Sequence, residues 1–209
     1  MIDHSHHFDE QAADWDKDPK KIERARSTAQ RIQDTLKISG NEDVFEFGAG
    51  TGLVSQFLGP HVGSLSLADN SKGMRGVIAE KIAAGVLPHA KLSDSDLVQG
   101  KLPDEKYDVV VASLVLHHVA DVPALLESFA SILKPGGAAC IIEMDTTDGK
   151  FHAHIDNYDG HDGFNRESLE QKLLAAGFSE AQFHEAGTIE REDGKYSIFL
   201  VNAFTRENS

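Results

Sequence analysis

An α/β fold on a mostly parallel sheet is predicted by three features of this sequence. Short apolar runs alternate with longer amphipathic stretches, the pattern of strands joined by helical crossovers. One run, Val109-Val110-Val111-Ala112, is continuously apolar, as a strand buried on both faces must be. Another, Val44-Phe45-Glu46-Phe47, ends in a cluster of glycines.

That glycine-terminated run reads as the first strand, and residues 53–58 carry apolar side chains at helical spacing. Residues 64–68 form a second strand and residues 71–84 a second helix. Ser71 is placed as its N-cap, and Met74, Val77, Ile78 and Ile82 share one face. A short third strand falls near residues 90–92, and the fourth is the valine run. Asp121 caps the next helix, with Pro123 in its first turn and Leu125, Leu126, Phe129, Ile132 and Leu133 facing the sheet. Lys134-Pro135-Gly136-Gly137 stops it, and residues 138–144 follow as a fifth strand. Residues 166–176 form a further helix ended by Gly177. The last apolar segments, 181–183 and 196–204, are joined by too short a connection for a parallel crossover, so they pair antiparallel. Residues 8–36 make one or two amphipathic helices outside the sheet.

The chain has 209 residues, the size of one domain, and its 34 acidic against 20 basic residues leave a net charge of −14. Such acidity argues against nucleic acid as a partner, because that binding relies on Lys and Arg against phosphates. A lone cysteine, Cys140, excludes an internal disulfide framework. The polar N-terminus lacks a secretory apolar core, and no apolar window reaches membrane-spanning length. A soluble cytoplasmic protein with no membrane partner is expected.

The loop after the first strand is Glu46-Phe47-Gly48-Ala49-Gly50-Thr51-Gly52. Glycines there allow a tight turn and close approach of a ligand to the backbone. A dinucleotide fingerprint would place its third glycine where Leu53 stands, and no Gly-Lys-Ser/Thr follows to cradle a nucleotide phosphate. Asp69 lies 21 residues beyond Gly48, at the end of the second strand, where an acid accepts hydrogen bonds from ribose hydroxyls. Together, loop and acid favour an adenosine-containing ligand.

At these residues the chain resembles the class I S-adenosylmethionine-dependent methyltransferases, in their small-molecule group. The likeness continues through Asp69-Asn70-Ser71 with Met74, then Leu102-Pro103 and Tyr107-Asp108-Val109-Val110. Further matches are Leu114-Val115-Leu116-His117-His118-Val119 and Leu133-Lys134-Pro135-Gly136-Gly137. Phe8-Asp9-Glu10 and Ala13-Asp14-Trp15-Asp16 are similar to that group's entry helix. The resemblance implies a single Rossmann-like domain, with residues 1–38 as a helical lid and 39–209 as the core. Its seven strands would follow the order 3-2-1-4-5-7-6, with strand seven antiparallel.

It also implies S-adenosylmethionine as cofactor, S-adenosylhomocysteine as product, and a small-molecule methyl acceptor. Glu46, Phe47, Gly48, Ala49, Gly50, Thr51 and Gly52 would surround the methionine moiety, and Asp69 would hold the ribose. Asn70, Ser71 and Met74 would border the adenine, and Asp96 with Leu97 would contact its amino group. Asp94 competes for that last role. Ala112, Ser113 and Leu114 would end the fourth strand beside the sulfonium. Trp15 either closes over the ligand or anchors a helix to the core.

Methyl transfer from a sulfonium is an in-line displacement, so a base matters only where the acceptor loses a proton. His117, His118 and Asp145 stand at the carboxyl ends of strands four and five, where open α/β sheets place ligands, and are the catalytic candidates. Glu143 is a further acid there. Residues 146–165 are long for a connection and carry His152, His154, His161, Asp156, Tyr158, Asp159 and Asp162. Acceptor recognition is their expected role, because their spacing closes no four-ligand metal site. Two other functions stay open, a cofactor-sensing module without transfer activity and an NAD-type oxidoreductase. The sequence selects neither the acceptor atom nor between monomer and homodimer.

Overall fold

The computed structural model describes residues 5–151, 158 and 160–207, with residues 5–7 described in backbone only. Seven strands form one sheet: β1 (Asp43–Phe47), β2 (Ser64–Ala68), β3 (Ala90–Leu92), β4 (Tyr107–Ser113), β5 (Leu133–Met144), β6 (Glu180–Arg191) and β7 (Gly194–Phe204). Their spatial order is β3-β2-β1-β4-β5-β7-β6. The first five pair in parallel, and β7 runs antiparallel to both β5 and β6.

The helices are α1 (Ser5–Gln11), α2 (Pro19–Leu36), α3 (Leu53–Leu58), α4 (Lys72–Ala83), α5 (Val122–Ile132) and α6 (Arg166–Ala175). Each strand's alternation sorts its side chains between two apolar layers. Phe45, Val110, Ala112, Ala139 and Ile141 face α5 and α6. Val44, Val109, Val111, Cys140 and Ile142 face α2, α3 and α4. The helix caps follow the sequence: Ser71, Asp121 and Asn165 accept from the backbone N–H of Met74, Ala124 and Ser168. Among the described residues no helix is long and apolar enough to cross a membrane.

The fold departs from expectation in two strands. Residues 134–137 are a bulge inside β5 rather than a turn before it, since Leu133 pairs with Tyr107 and Ala138 with Val109. Lys134 makes this bulge a tie across the sheet, its Nζ donating to Asp43 (2.9 Å) and Asp108 (2.8 Å). Strand β6 runs well beyond residues 181–183, pairing with β7 along its whole length. Its outer side carries Gln182, Glu185 and Glu190, so this solvated edge strand shows no apolar run to read.

Phe129 of α5 is fully buried and meets Phe47, the last residue of β1, edge-on at 5.5 Å. Phe129→Ala is expected to lower stability by about 3–5 kcal/mol, measured by urea unfolding. A loss below 1 kcal/mol would show that this contact does not support the end of β1.

Candidate functional site

The carboxyl ends of β1, β2, β4 and β5 meet around the glycine loop. Gly48, Gly50 and Gly52 all have positive φ (64°, 58° and 73°), which only glycine adopts freely. They differ in surroundings. A Cβ on Gly48 would lie 2.4 Å from Val115 Cγ2, whereas one on Gly50 would meet nothing within 4 Å. Gly48 is therefore a packing requirement, and Gly50 faces open space where a ligand can reach the backbone.

Asp69 ties this loop to the end of β2. Its Oδ2 accepts from Gly50 N–H (2.8 Å) and its Oδ1 from Ser71 N–H (2.9 Å). Ala49 N–H donates to Ala68 O at 3.0 Å, which draws the same two loops together. Each carboxylate oxygen keeps a lone pair for a further donor. Burial raises the Asp69 pKa, the two N–H donors and Arg75 pull it down, and the charge of Asp9 pushes it up again.

Beneath the loop, Glu46 is buried and accepts from the hydroxyl of Ser55 on α3. Burial pushes its carboxyl up to about 7, with Ser55 opposing the rise and the charge of Asp69 adding to it. Ser55 was not singled out from sequence, although a serine inside the apolar run 53–58 was the available signal. Leu114 leaves β4 with φ 54°, a strained value for a bulky residue, and its N–H is held by Ile142 O at 2.8 Å. The turn it makes brings Val115 onto Gly48.

Ala112 and Leu97 are buried in one apolar cluster with Ala68. Met74 is buried at the start of α4, while Asn70 is exposed. Asp96 accepts from Gln99 N–H (3.1 Å) in the turn after β3, whereas Asp94 pairs with Arg75 (2.5 Å). Trp15 lies in the 3-10 turn after α1, between Lys21, 3.3 Å above its ring, and Phe8, edge-on at 6.0 Å.

The acceptor candidates separate by environment. His117 is buried, and its Nδ1 meets both oxygens of fully buried Glu143, at 3.0 and 2.9 Å. The backbone N–H groups of His117 and Met144 also donate to that carboxylate. The His118 ring lies tilted against that of His117, with centroids 4.1 Å apart, and meets Phe8 and Tyr158 edge-on, at 5.4 and 6.1 Å. Asp145 is held by Arg166 through two bonds of 2.8 Å, and Arg166 reaches on to Glu185. This pair raises the Arg166 pKa.

The long connection after β5 folds back on the same point. Tyr158 Oη and His161 N–H both donate to His117 O at 2.8 Å, and His161 Nε2 donates to Val119 O at 3.0 Å. His161 is thereby a brace for the turn after β4. His152, His154, Asp156 and Asp159 lie outside the described residues.

Glu46 makes a signed prediction. Its raised pKa means that the folded protein keeps the proton while the unfolded chain has lost it. Its contribution to stability is therefore undiminished below about pH 4.5 and falls until about pH 7. Relative to wild type, Glu46→Gln should gain up to about 3 kcal/mol between pH 4.5 and pH 8, read as a difference of urea midpoints. A constant difference across that range would remove the assignment.

The family model described as a methyltransferase domain matches residues 15–182. An uncharacterized methyltransferase of Schizosaccharomyces pombe is 28% identical over 153 residues, covering 66% of this chain and 54% of that protein. A phosphoethanolamine N-methyltransferase of Triticum aestivum is 29% identical over 161 residues, covering 72% of this chain and 30% of its own length. The chain thus spans about half or less of these curated relatives. The N-methyltransferase NodS of Bradyrhizobium japonicum, solved with S-adenosylhomocysteine, shares the fold at a TM-score of 0.74 and 17% identity. That match covers 98% of this chain and all of the NodS chain. With most of its length matched by the family model, this chain belongs to the methyltransferase-domain family.

Proposed function

We propose that this protein transfers a methyl group from S-adenosylmethionine to a small-molecule acceptor. The observation that carries the reading is the Asp69 carboxylate, which spans the two loops that begin at β1 and β2 and keeps acceptor capacity on both oxygens. A ribose diol needs such an acceptor beside open backbone, and Gly50 supplies the open backbone.

The residues fit the cofactor on the structure's own terms. Gly50 leaves room, Asp69 keeps acceptor capacity for hydroxyls, and Leu97 and Ala112 are buried in one apolar cluster with Ala68 at the end of β2. When bound, S-adenosylmethionine supplies a methyl group already activated by its sulfonium. The chain's own task is to align the acceptor at roughly 3 Å and to exclude water. Val115 packs over Gly48, while α1 and the turn after it lie over the loop ends.

On the acceptor side, His118 is assigned the contact with substrate, since it stands between the N-terminal helix and the connection after β5. His117 is assigned the task of holding His118 through their ring contact and its own bond to Glu143. Asp145 is assigned to fixing α6 through Arg166. Where the acceptor must lose a proton, His118 is the group placed to take it.

Calorimetric titration with S-adenosylhomocysteine and with NADH tests the cofactor. Binding of the first alone is expected, and Asp69→Ala should weaken it by about 1–3 kcal/mol. NADH binding alone would point to an oxidoreductase instead. With a metabolite extract as acceptor source, His118→Ala should lower methyl-transfer turnover at least tenfold while leaving S-adenosylhomocysteine affinity unchanged. Absence of any transfer by folded wild-type protein that binds the cofactor would favour a sensor.

A further inference from the structure

The segment from α1 through the 3-10 turn Ala12–Lys17 reaches both cofactor loops through two carboxylates. Asp9 Oδ1 accepts from Ser71 Oγ (2.5 Å) and Gly73 N–H (2.9 Å), so the first turn of α4 is capped partly from outside its own chain segment. Asp16 Oδ1 accepts from Thr51 Oγ1 (2.6 Å), and its Oδ2 pairs with Lys81 Nζ (2.5 Å) on α4. Thr51 is buried between Gly50 and Gly52, and Ser71 N–H is itself a donor to Asp69. Asp16 therefore grips the residue next to Gly50, and Asp9 grips the residue whose N–H binds Asp69.

Gly73 shows how closely this segment is seated. A Cβ there would stand 2.8 Å from Asp9 O and 2.9 Å from Asp9 Cα, both backbone atoms that cannot yield alone. Gly76, one turn further along α4, would meet nothing within 4 Å.

We propose that Asp16 and Asp9 are positioning residues of the cofactor site, so that docking of residues 8–17 and cofactor binding form one coupled equilibrium. The inference rests on the reading of the glycine loop as the cofactor seat. With glycines on both sides of Thr51, the loop conformation is costly in chain entropy. The Asp16 bond to Thr51 meets part of that cost before the cofactor arrives. By linkage, a cofactor that fixes Thr51 and Asp69 tightens the docked segment by the factor by which docking tightens the cofactor.

The test combines hydrogen exchange of the 8–17 amides with calorimetric titration of S-adenosylhomocysteine, on the full chain. Wild type, Asp16→Ala, Gly73→Ala and Gly76→Ala are compared. Both glycine substitutions place an alanine in α4, and only the first meets Asp9. Expected in Asp16→Ala and Gly73→Ala are faster exchange confined to residues 8–17 without ligand and about tenfold weaker binding. The urea midpoints should stay near wild type. Gly76→Ala should bind and exchange as wild type does, and the ligand should slow exchange of residues 8–17 in wild type.

Variants that release the segment yet bind with wild-type affinity would overturn the coupling. So would variants in which the segment stays protected, or in which exchange rises throughout the sheet. Wild-type protein that binds no S-adenosylhomocysteine overturns the functional reading and the coupling with it. That result is distinct from equal binding by all four proteins.

Discussion

The carboxylate of Asp69 is the joint on which the site depends. The sheet brings the carboxyl ends of β1 and β2 side by side, but the loops beyond them contain three glycines in left-handed conformations and have little preference of their own. One acidic side chain at the end of β2, accepting from Gly50 on one loop and Ser71 on the other, fixes their separation. The surroundings make that charge costly to bury, and the two N–H donors offset part of the cost. At Glu46, below the same loop, the bonds from Ser55 oppose burial only in part, and burial carries its carboxyl up to about 7.

The ends of β4 and β5 solve the same problem with different chemistry. A buried carboxylate, Glu143, takes the His117 imidazole together with two backbone N–H groups. The His117 carbonyl in turn receives Tyr158 and His161 from the connection after β5. The chain thus closes its long connection onto the turn after β4 through main-chain and buried side-chain bonds. His118 is left at the meeting point of this connection with the N-terminal helix. A strained Leu114 is the local cost of that turn, over-determined by its bond to Ile142 and by the pairing of β4 with β5.

The strands, helix caps and glycine loop were legible in the sequence because local chemistry dictates them, whereas the strand order came only with the family resemblance. A valine run buried on both faces, a serine or aspartate before a helix, and alternating glycines each have one economical structural use. Edge strand β6 was legible only in part, because its solvent-facing residues break the apolar run. That the candidate residues gather at the carboxyl ends of the strands was legible, but the pairings among them were not. That Glu143 turns toward His117 while Asp145 turns toward Arg166 depends on where α6 and the connection before it pack. Asp9 and Asp16 meet Ser71 and Thr51 across 62 and 35 residues of sequence, and no local pattern encodes such contacts.

A crystal structure of the full chain with S-adenosylhomocysteine tests the role of Asp69 most directly. The ribose hydroxyls should donate to Asp69 while its bonds from Gly50 and Ser71 persist, with the homocysteine portion over Gly50 and Phe8 still against His118. A ligand whose ribose lies away from Asp69, or whose entry requires Asp69 to release the glycine loop, would contradict it.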